Sequence, residues 1–188
     1  TAVSDIAVSG GPSTINDINI VLHIDHTWDS DLDIILVAPG AADYLQLSTD
    51  NGGSADNYNV TRFDDAADVS VSGGATAPFN GNFRPEGGAT AWAGSVALPA
   101  TPLASLGALN GRDADGTWRL LIDDDTNQQT GTLRFWSIEF NGAVDPNGPP
   151  PVTGQLHPDG LGVAIPAGAE RLEQFLLSVQ VTPAENPM

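Results

Sequence analysis

The sequence predicts an all-β protein, an antiparallel β-sandwich or jelly roll with a C-terminal extension of strand or short helix. Three observations support this prediction. Short apolar segments alternate with polar residues at the period of a strand, turn residues recur every few positions, and the first 143 residues show almost no helical periodicity. Glycine and proline together contribute 35 of 188 residues, and 19 of the 24 acids are aspartate, which favours turns over helices.

The first half of the chain contains three predicted strands. Residues 18–26 alternate so that Ile18, Ile20, Leu22 and Ile24 face one side, which predicts a half-buried strand. After a turn at 27–31, residues 32–37 are predicted to form the return strand of a hairpin, and residues 44–47 form a short third strand. A polar loop over 48–59 follows.

The second half continues the pattern. Residues 69–71 predict a brief strand, and the Gly-, Ala- and Pro-rich stretch 73–95 predicts a long irregular crossing loop. Residues 103–106 suggest one helical turn. Residues 117–122 and 132–140 are predicted to form a second hairpin, joined by an acidic, amide-rich loop.

These elements divide the chain into a body and an appendage. The β-sandwich is predicted over residues 1–143, a Pro- and Gly-rich linker over 144–154, and a C-terminal extension over 155–188. The extension has too few apolar residues for a core of its own. We therefore expect it to dock on the body, dock on a neighbour, or begin a further element.

Charge and composition exclude several classes of function. The net charge is −18, with arginine as the only basic residue apart from three histidines, which disfavours binding to nucleic acid. No apolar run is long enough to span a membrane. The absence of cysteine and lysine excludes thiol, zinc-thiolate and Schiff-base chemistry. No serine-hydrolase elbow or zinc-protease motif occurs, and His23, His26 and His157 are not expected to act as catalytic bases.

Five short motifs occur in an order that resembles the P domain, or P/Homo B domain, of proprotein convertases. They are His26-Thr-Trp-Asp-Ser-Asp-Leu-Asp-Ile with Leu36-Val-Ala-Pro-Gly; Arg62-Phe-Asp-Asp-Ala-Ala; Pro78-Phe and Phe83-Arg-Pro; Asp115-Gly-Thr-Trp; and Gly131-Thr-Leu with Trp136-Ser. The resemblance covers residues 1–143. It implies a jelly-roll sandwich, and a non-catalytic accessory module that stabilises or positions a neighbouring domain. It also implies a secreted or cell-surface location in a bacterium.

Calcium is the cofactor that the acidic loops predict. Asp29, Asp31 and Asp33 have the spacing that opens an EF-hand loop, but Ile34 and Gly40 occupy the positions where that motif needs glycine and glutamate. Crowded carboxylates without lysine nearby favour a divalent cation. The predicted metal ligands are Asp29, Asp31, Asp33, Asp50, Asp64 and Asp65, and a second possible metal loop contains Asp123 and Asp125. The alternative is a solvated acidic surface in which aspartates cap turns.

A second hypothesis is a self-assembling extracellular filament subunit. An apolar arm on a Pro-rich linker could add a strand to the sheet of an identical subunit. The predicted assembly arm contains Leu161, Val163, Ile165, Phe175, Leu177 and Val179. Carbohydrate is a less favoured partner, for which Trp28, Tyr58 or Trp92 would stack on a sugar ring.

Overall fold

A computed structural model describes residues 1–73, 75–126 and 129–140, together with the backbone of two short strands farther along the chain. The strands of the body are β1 (Ala2–Val8), β2 (Ile18–Asp25), β3 (Leu32–Val37), β4 (Asp43–Thr49), β5 (Tyr58–Phe63), β6 (Phe79–Phe83), β7 (Thr101–Pro102), β8 (Gly116–Asp124) and β9 (Thr132–Phe140). Two 3₁₀ helices lie at Asp29–Asp31 and Leu106–Leu109.

The strands form two sheets that pack face to face, which confirms the predicted β-sandwich. One sheet has the order β1-β8-β3-β4-β7 and the other has the order β6-β5-β2-β9. The pairs are antiparallel except for β4 with β7 and β5 with β6, which are parallel. Both sheets are therefore mixed rather than purely antiparallel.

The inner faces supply one continuous apolar core. Alternation in β2 turns Ile20, Leu22 and Ile24 inward, as the sequence predicts. Trp118 and Trp136 are the largest buried side chains and come from opposite sheets. A second, smaller cluster lies on the outer face of the five-stranded sheet, where Trp92, Val96 and Leu98 cover the side chains of Ile35, Val37, Tyr44 and Leu121.

The two predicted hairpins are wrong, although their strands are present. β2 pairs with β5 and β9, whereas β3 pairs with β4 and β8. Likewise β8 and β9 lie in different sheets. In both cases the connecting segment carries the chain across the sandwich from one sheet to the other. Alternation specifies which side of a strand is buried, but two strands that share one core can lie in the same sheet or in facing sheets.

Other local predictions need correction. β1 was not predicted, although its inward residues Ser4, Ile6 and Val8 alternate with exposed ones. β6 lies inside the stretch predicted to be an irregular loop. Residues 69–71 contribute only an isolated bridge from Ser70 to Arg84. The helical turn predicted at 103–106 is a 3₁₀ helix that begins at Leu106.

The C-terminal extension is described only at two antiparallel strands, β10 (Gly154–Leu156) and β11 (Val163–Ile165). β10 lies beside the edge strands β1 and β9. The linker at 144–153 and the predicted arm residues Leu161, Phe175, Leu177 and Val179 lie outside the described residues. Within the described residues no helix is long and apolar enough to cross a membrane.

Candidate metal centre

Three neighbouring strand ends meet at one end of the five-stranded sheet. β3 begins at Leu32, between the ends of β4 and β8. Two backbone hydrogen bonds tie the neighbouring segments to the start of β3. The Asp50 amide donates to the Leu32 carbonyl (3.3 Å), and the Asp125 amide donates to the Asp31 carbonyl (3.0 Å). Residues after β4 and β8 are thereby held beside the start of β3. We call Asp31, Asp33, Asp50, Asp123 and Asp125 the aspartate cluster.

The centre of the aspartate cluster is a pair of like charges in register. Asp33 on β3 lies directly opposite Asp123 on β8, and both side chains point to the outer face of the sheet. The two residues are only 4% and 7% exposed. Like charges directly opposite each other destabilise a sheet, and burial strengthens their repulsion.

The two facing carboxylates differ in their partners. Asp123 accepts a hydrogen bond from the Thr1 hydroxyl at 2.5 Å, and Thr1 in turn accepts one from the Ser95 amide. One oxygen of Asp33, Oδ1, is buried and has no hydrogen-bond partner. A buried carboxylate oxygen without a partner is costly, so this atom needs a proton or a cation.

The acidity of the cluster reflects this environment. Burial raises the pKa of Asp33 to about 6, and the charges of Asp50, Asp125 and Asp123 add to the shift. The pKa of Asp50 is also raised, first by burial and then by the charges of Asp125, Glu86 and Asp31. These aspartates raise one another's pKa values, so they act as one electrostatic unit. The sequence assigned them to two separate loops.

Asp29 lies apart from this unit. It is fully buried in the 3₁₀ helix that precedes β3, and neither carboxylate oxygen has a hydrogen bond of good geometry, although the Asn57 backbone amide is close enough to act on it. Its backbone amide bonds to the Ala55 carbonyl at 2.9 Å, so the loop after β4 folds over it. Burial raises its pKa to about 7 against the opposing effect of the Asn57 backbone amide, and the charges that act on it are those of His26 and Asp56 rather than Asp33 or Asp123.

Asp64 and Asp65 occupy structural positions elsewhere in the fold. Asp64 pairs with Arg62 at 2.6 Å and caps the turn after β5 through the Ala66 amide. Asp65 accepts hydrogen bonds from the amides of Leu106 and Gly107 at the start of the second 3₁₀ helix. The structure brings neither of them into the aspartate cluster, and their carboxylates are engaged in an ion pair and in backbone hydrogen bonds.

The side chains of the aspartate cluster have the chemistry that calcium prefers, but their present arrangement is not a finished site. Calcium takes six to eight oxygen ligands, chiefly carboxylates and carbonyls from adaptable loops. The cluster supplies buried carboxylates and the loops after β4 and β8. In the described part of the chain no group of three or more histidine, aspartate or glutamate side chains is already arranged to hold a metal ion. Binding would therefore require the carboxylates to turn toward one another.

Two residues at the edge of the cluster were missed in the sequence. Glu86 accepts a hydrogen bond from the Thr49 amide at 3.0 Å and contacts Asn51 and Gln46. Thr49 on β4 lies opposite Asp33, and its buried hydroxyl is close enough to Asp33 to lower the pKa of that carboxyl group. Glu86 is forty residues from Gln46 in the chain, and no local pattern marks it.

The structure places the aromatic and histidine side chains in different environments. Tyr58 is fully buried and bonds to Ser48 at 2.8 Å, so it cannot stack on a sugar. Trp92 packs over the outer cluster, whereas Trp28 is 40% exposed. His26 is buried, and its Nδ1 lies 2.8 Å from the Trp28 carbonyl oxygen. It braces the turn after β2.

A comparison with family models supports the sequence resemblance over part of the chain. Residues 100–140 match the proprotein convertase P-domain. This stretch contains β7, β8 and β9, and the motifs at Asp115 and Gly131 fall within it. No curated protein and no solved structure matches the chain. The predicted resemblance to the P domain is thus confirmed at residues 100–140. The P domain is a non-catalytic accessory domain, typically extracellular, that associates with a neighbouring catalytic domain.

Proposed function

We propose that this chain is a non-catalytic, extracellular accessory module of the P-domain type, and that calcium stabilises it. The family match over residues 100–140 supports the accessory role. The observation that carries the calcium proposal is the in-register pair Asp33 and Asp123, buried as like charges with Asp33 Oδ1 unpartnered. A divalent cation would replace repulsion with attraction at this point.

The residues that would hold the ion are those of the aspartate cluster. Asp33 and Asp123 would provide ligands from rigid strands, and Asp31, Asp50 and Asp125 would provide them from the adjoining loops. The ion would join the ends of β3, β4 and β8. In this way calcium binding would fasten three segments that are distant in sequence, and the folded module would present a fixed surface to its neighbouring domain.

Thermal unfolding of the wild-type chain and of Asp33→Asn, each with calcium and with EDTA, tests this proposal. At a calcium concentration about 100 times the Kd, the wild type should gain about 2.7 kcal/mol. For a chain of this size that gain raises Tm by about 5–10 °C. Asp33→Asn should lose most of this gain because one ligand charge is removed.

The sign of the variant's effect should reverse between the two conditions. In EDTA, Asp33→Asn should unfold at a higher temperature than the wild type, because the repulsion with Asp123 is relieved. In calcium it should unfold at a lower temperature. Asp68→Asn is the matched control, since Asp68 is exposed and carries the same charge outside the cluster. Equal Tm values for the wild type in calcium and EDTA would refute calcium stabilisation.

The partner follows from the accessory role. We propose that the module associates with a neighbouring protein domain, as P domains do. The alternative, a filament subunit joined through the C-terminal arm, remains a prediction that truncation can test. β10 already lies beside the edge strands β1 and β9 of its own body, which favours docking within one chain.

A further inference from the structure

Glu86 lies in the segment between β6 and β7, which crosses from the four-stranded sheet to the five-stranded sheet. Its backbone amide donates to the Leu47 carbonyl at 3.2 Å, and the Gly87 amide donates to the Gln46 carbonyl at 2.9 Å. These two bonds add the segment to the edge of β4. At Gly87 a Cβ atom would overlap the Ala104 carbonyl oxygen, so the backbone has little room to move. The position of Glu86 is therefore fixed by its own segment.

The Glu86 carboxylate contacts the residues on both sides of Asp50. Its Oε1 accepts a hydrogen bond from the Thr49 amide at 3.0 Å and another from the Asn51 side-chain amide, and its Oε2 accepts one from the Gln46 side-chain amide. Asn51 also donates to the Thr49 carbonyl at 3.0 Å, which closes the turn around Asp50. Both oxygens of Glu86 are thus engaged by donors from β4 and from the turn that follows it.

Asp50 depends on support of this kind. Asp33 and Asp123 are buried on strands, whereas Asp50 is exposed and belongs to a loop. Its φ is +55°, in the left-handed region, which residues other than glycine seldom adopt. Packing constrains an exposed side chain little, so the direction of the Asp50 carboxylate follows from the backbone of the turn. The hydrogen bonds of Glu86 on each side hold that backbone.

Thr49 lies directly opposite Asp33 in the pairing of β3 with β4, so the turn brings Asp50 beside Asp33. We propose that Glu86 is a positioning residue for the calcium site, and that its hydrogen bonds hold Asp50 where it can share a cation with Asp33. The inference rests on the proposed calcium binding and adds to it a residue outside the aspartate cluster. Residues that orient metal ligands through hydrogen bonds typically contribute about 10- to 100-fold to metal affinity.

Calorimetric titration of the full chain with calcium chloride tests the role of Glu86. Glu86→Ala should weaken calcium binding about tenfold or more, because the turn around Asp50 loses its support. Glu86→Gln should stay within about fivefold of the wild type, since a partly exposed charge contributes little through solvent. Its side chain keeps one acceptor oxygen, and the buried Oε1 of Gln46, which has no partner, can turn to accept from the new amide.

A double-variant cycle tests whether Glu86 acts through Asp50. In a chain that already carries Asp50→Asn, Glu86→Ala should weaken calcium binding by less than about threefold, because residues that act through one another are not additive. If Glu86→Ala does not fold, Asn51→Ala replaces it in both titrations. That variant removes the contact on one side of Asp50 and leaves Glu86 in place, so it should also weaken calcium binding in the wild type.

Asp115→Ala is the matched control. Asp115 likewise accepts hydrogen bonds from two backbone amides of a distant segment, those of Gly10 at 3.1 Å and Gly11 at 2.7 Å, and it lies outside the aspartate cluster. Its loss should lower Tm in EDTA and leave the calcium affinity unchanged. A second measurement needs no calcium: in EDTA, hydrogen exchange at the Thr49 amide should be faster in Glu86→Ala than in the wild type or Glu86→Gln.

Three results would overturn the positioning role alone. They are a calcium affinity of Glu86→Ala equal to that of the wild type, an equal loss of affinity in Glu86→Gln and Glu86→Ala, and additive effects of Glu86→Ala and Asp50→Asn. The second result would make the charge of Glu86, as a ligand or at a distance, the quantity that matters. A wild-type chain that binds no calcium would refute the proposed function and this inference together.

Discussion

The two outer faces of the sandwich both carry buried or half-buried carboxylates, but they neutralise them differently. On the four-stranded sheet, Arg62 bridges Glu139 at 2.9 Å and Asp64 at 2.6 Å, and Arg134 pairs with Asp25. On the five-stranded sheet, Arg119 pairs with Asp5 at 2.7 Å, but Asp33 faces another aspartate across the strand pair. Glu139 and Asp64 thus have an arginine partner, whereas Asp33 has no ion-pair partner among the described residues.

This difference shows why net charge alone does not identify a metal site. Asp25 has a pKa lowered chiefly by its hydrogen bond to Arg134, so its charged form is already stabilised. Asp33 has a pKa raised to about 6, so its charged form is destabilised. An aspartate whose charge is favoured in the folded protein needs no ion, and one whose charge is disfavoured gains from binding one.

The largest expected effect is on the pH dependence of stability in EDTA. The pKa values of Asp29 and Asp33 rise from 3.8 to about 7 and about 6 on folding. The folded protein therefore holds protons that the unfolded chain releases, and this contribution is lost as the pH rises through 6 to 7. Between about pH 5 and about pH 8 the free energy of unfolding should fall by about 4 kcal/mol, from about two pKa units for Asp29 and about one for Asp33.

Urea unfolding across this pH range, with EDTA and with calcium, measures that dependence. Calcium should remove the part of this dependence that comes from Asp33, because the ion replaces the protons of the aspartate cluster, whereas the part that comes from Asp29 should remain. In EDTA, Asp33→Asn should show a shallower dependence than the wild type, whereas Asp68→Asn should match the wild type. Stability that rises with pH in EDTA would contradict the assignment of Asp29 and Asp33 as destabilised charges.

The next largest effect is expected from removing Arg62, the arginine that pairs with two carboxylates on the four-stranded sheet. Arg62→Ala should lower the free energy of unfolding by about 2 kcal/mol, because Glu139, only 6% exposed, loses its guanidinium partner. Arg119→Ala is the matched control: its pair with Asp5 is about 40% exposed on both sides, and its loss should cost less than about 0.5 kcal/mol.

Both arginine variants should have the same effect in calcium and in EDTA, as measured by urea unfolding. If the loss of unfolding free energy in Arg62→Ala differs between calcium and EDTA, the charges on the two faces are coupled and the faces do not behave independently.

The smallest expected effect is that of removing residues 145–188. All aspartates of the cluster lie within residues 1–140, so the calcium-dependent rise in Tm should persist in the truncated chain. Sedimentation velocity in calcium should show monomers for both lengths. Large assemblies of the full chain that disappear on truncation would instead support the filament hypothesis, with the extension as the element that joins subunits.

The sequence by itself determined the all-β class and the inward face of β2. These features follow from local alternation and side-chain hydrophobicity, which each segment carries independently of its neighbours. The sequence also identified Asp31, Asp33, Asp50, Asp123 and Asp125 as candidate ligands, because aspartates in lysine-free loops are visible without a structure.

Only the tertiary structure decided how these pieces combine. The segments predicted as hairpins lie in opposite sheets, because a turn that reverses the chain can return it either to the same sheet or to the facing one. The same pairing of β3 with β8 placed Asp33 opposite Asp123 and united two loops ninety residues apart. Strand register depends on contacts between distant segments, so no local pattern could have separated this cluster from Asp64 and Asp65, whose oxygens already have partners.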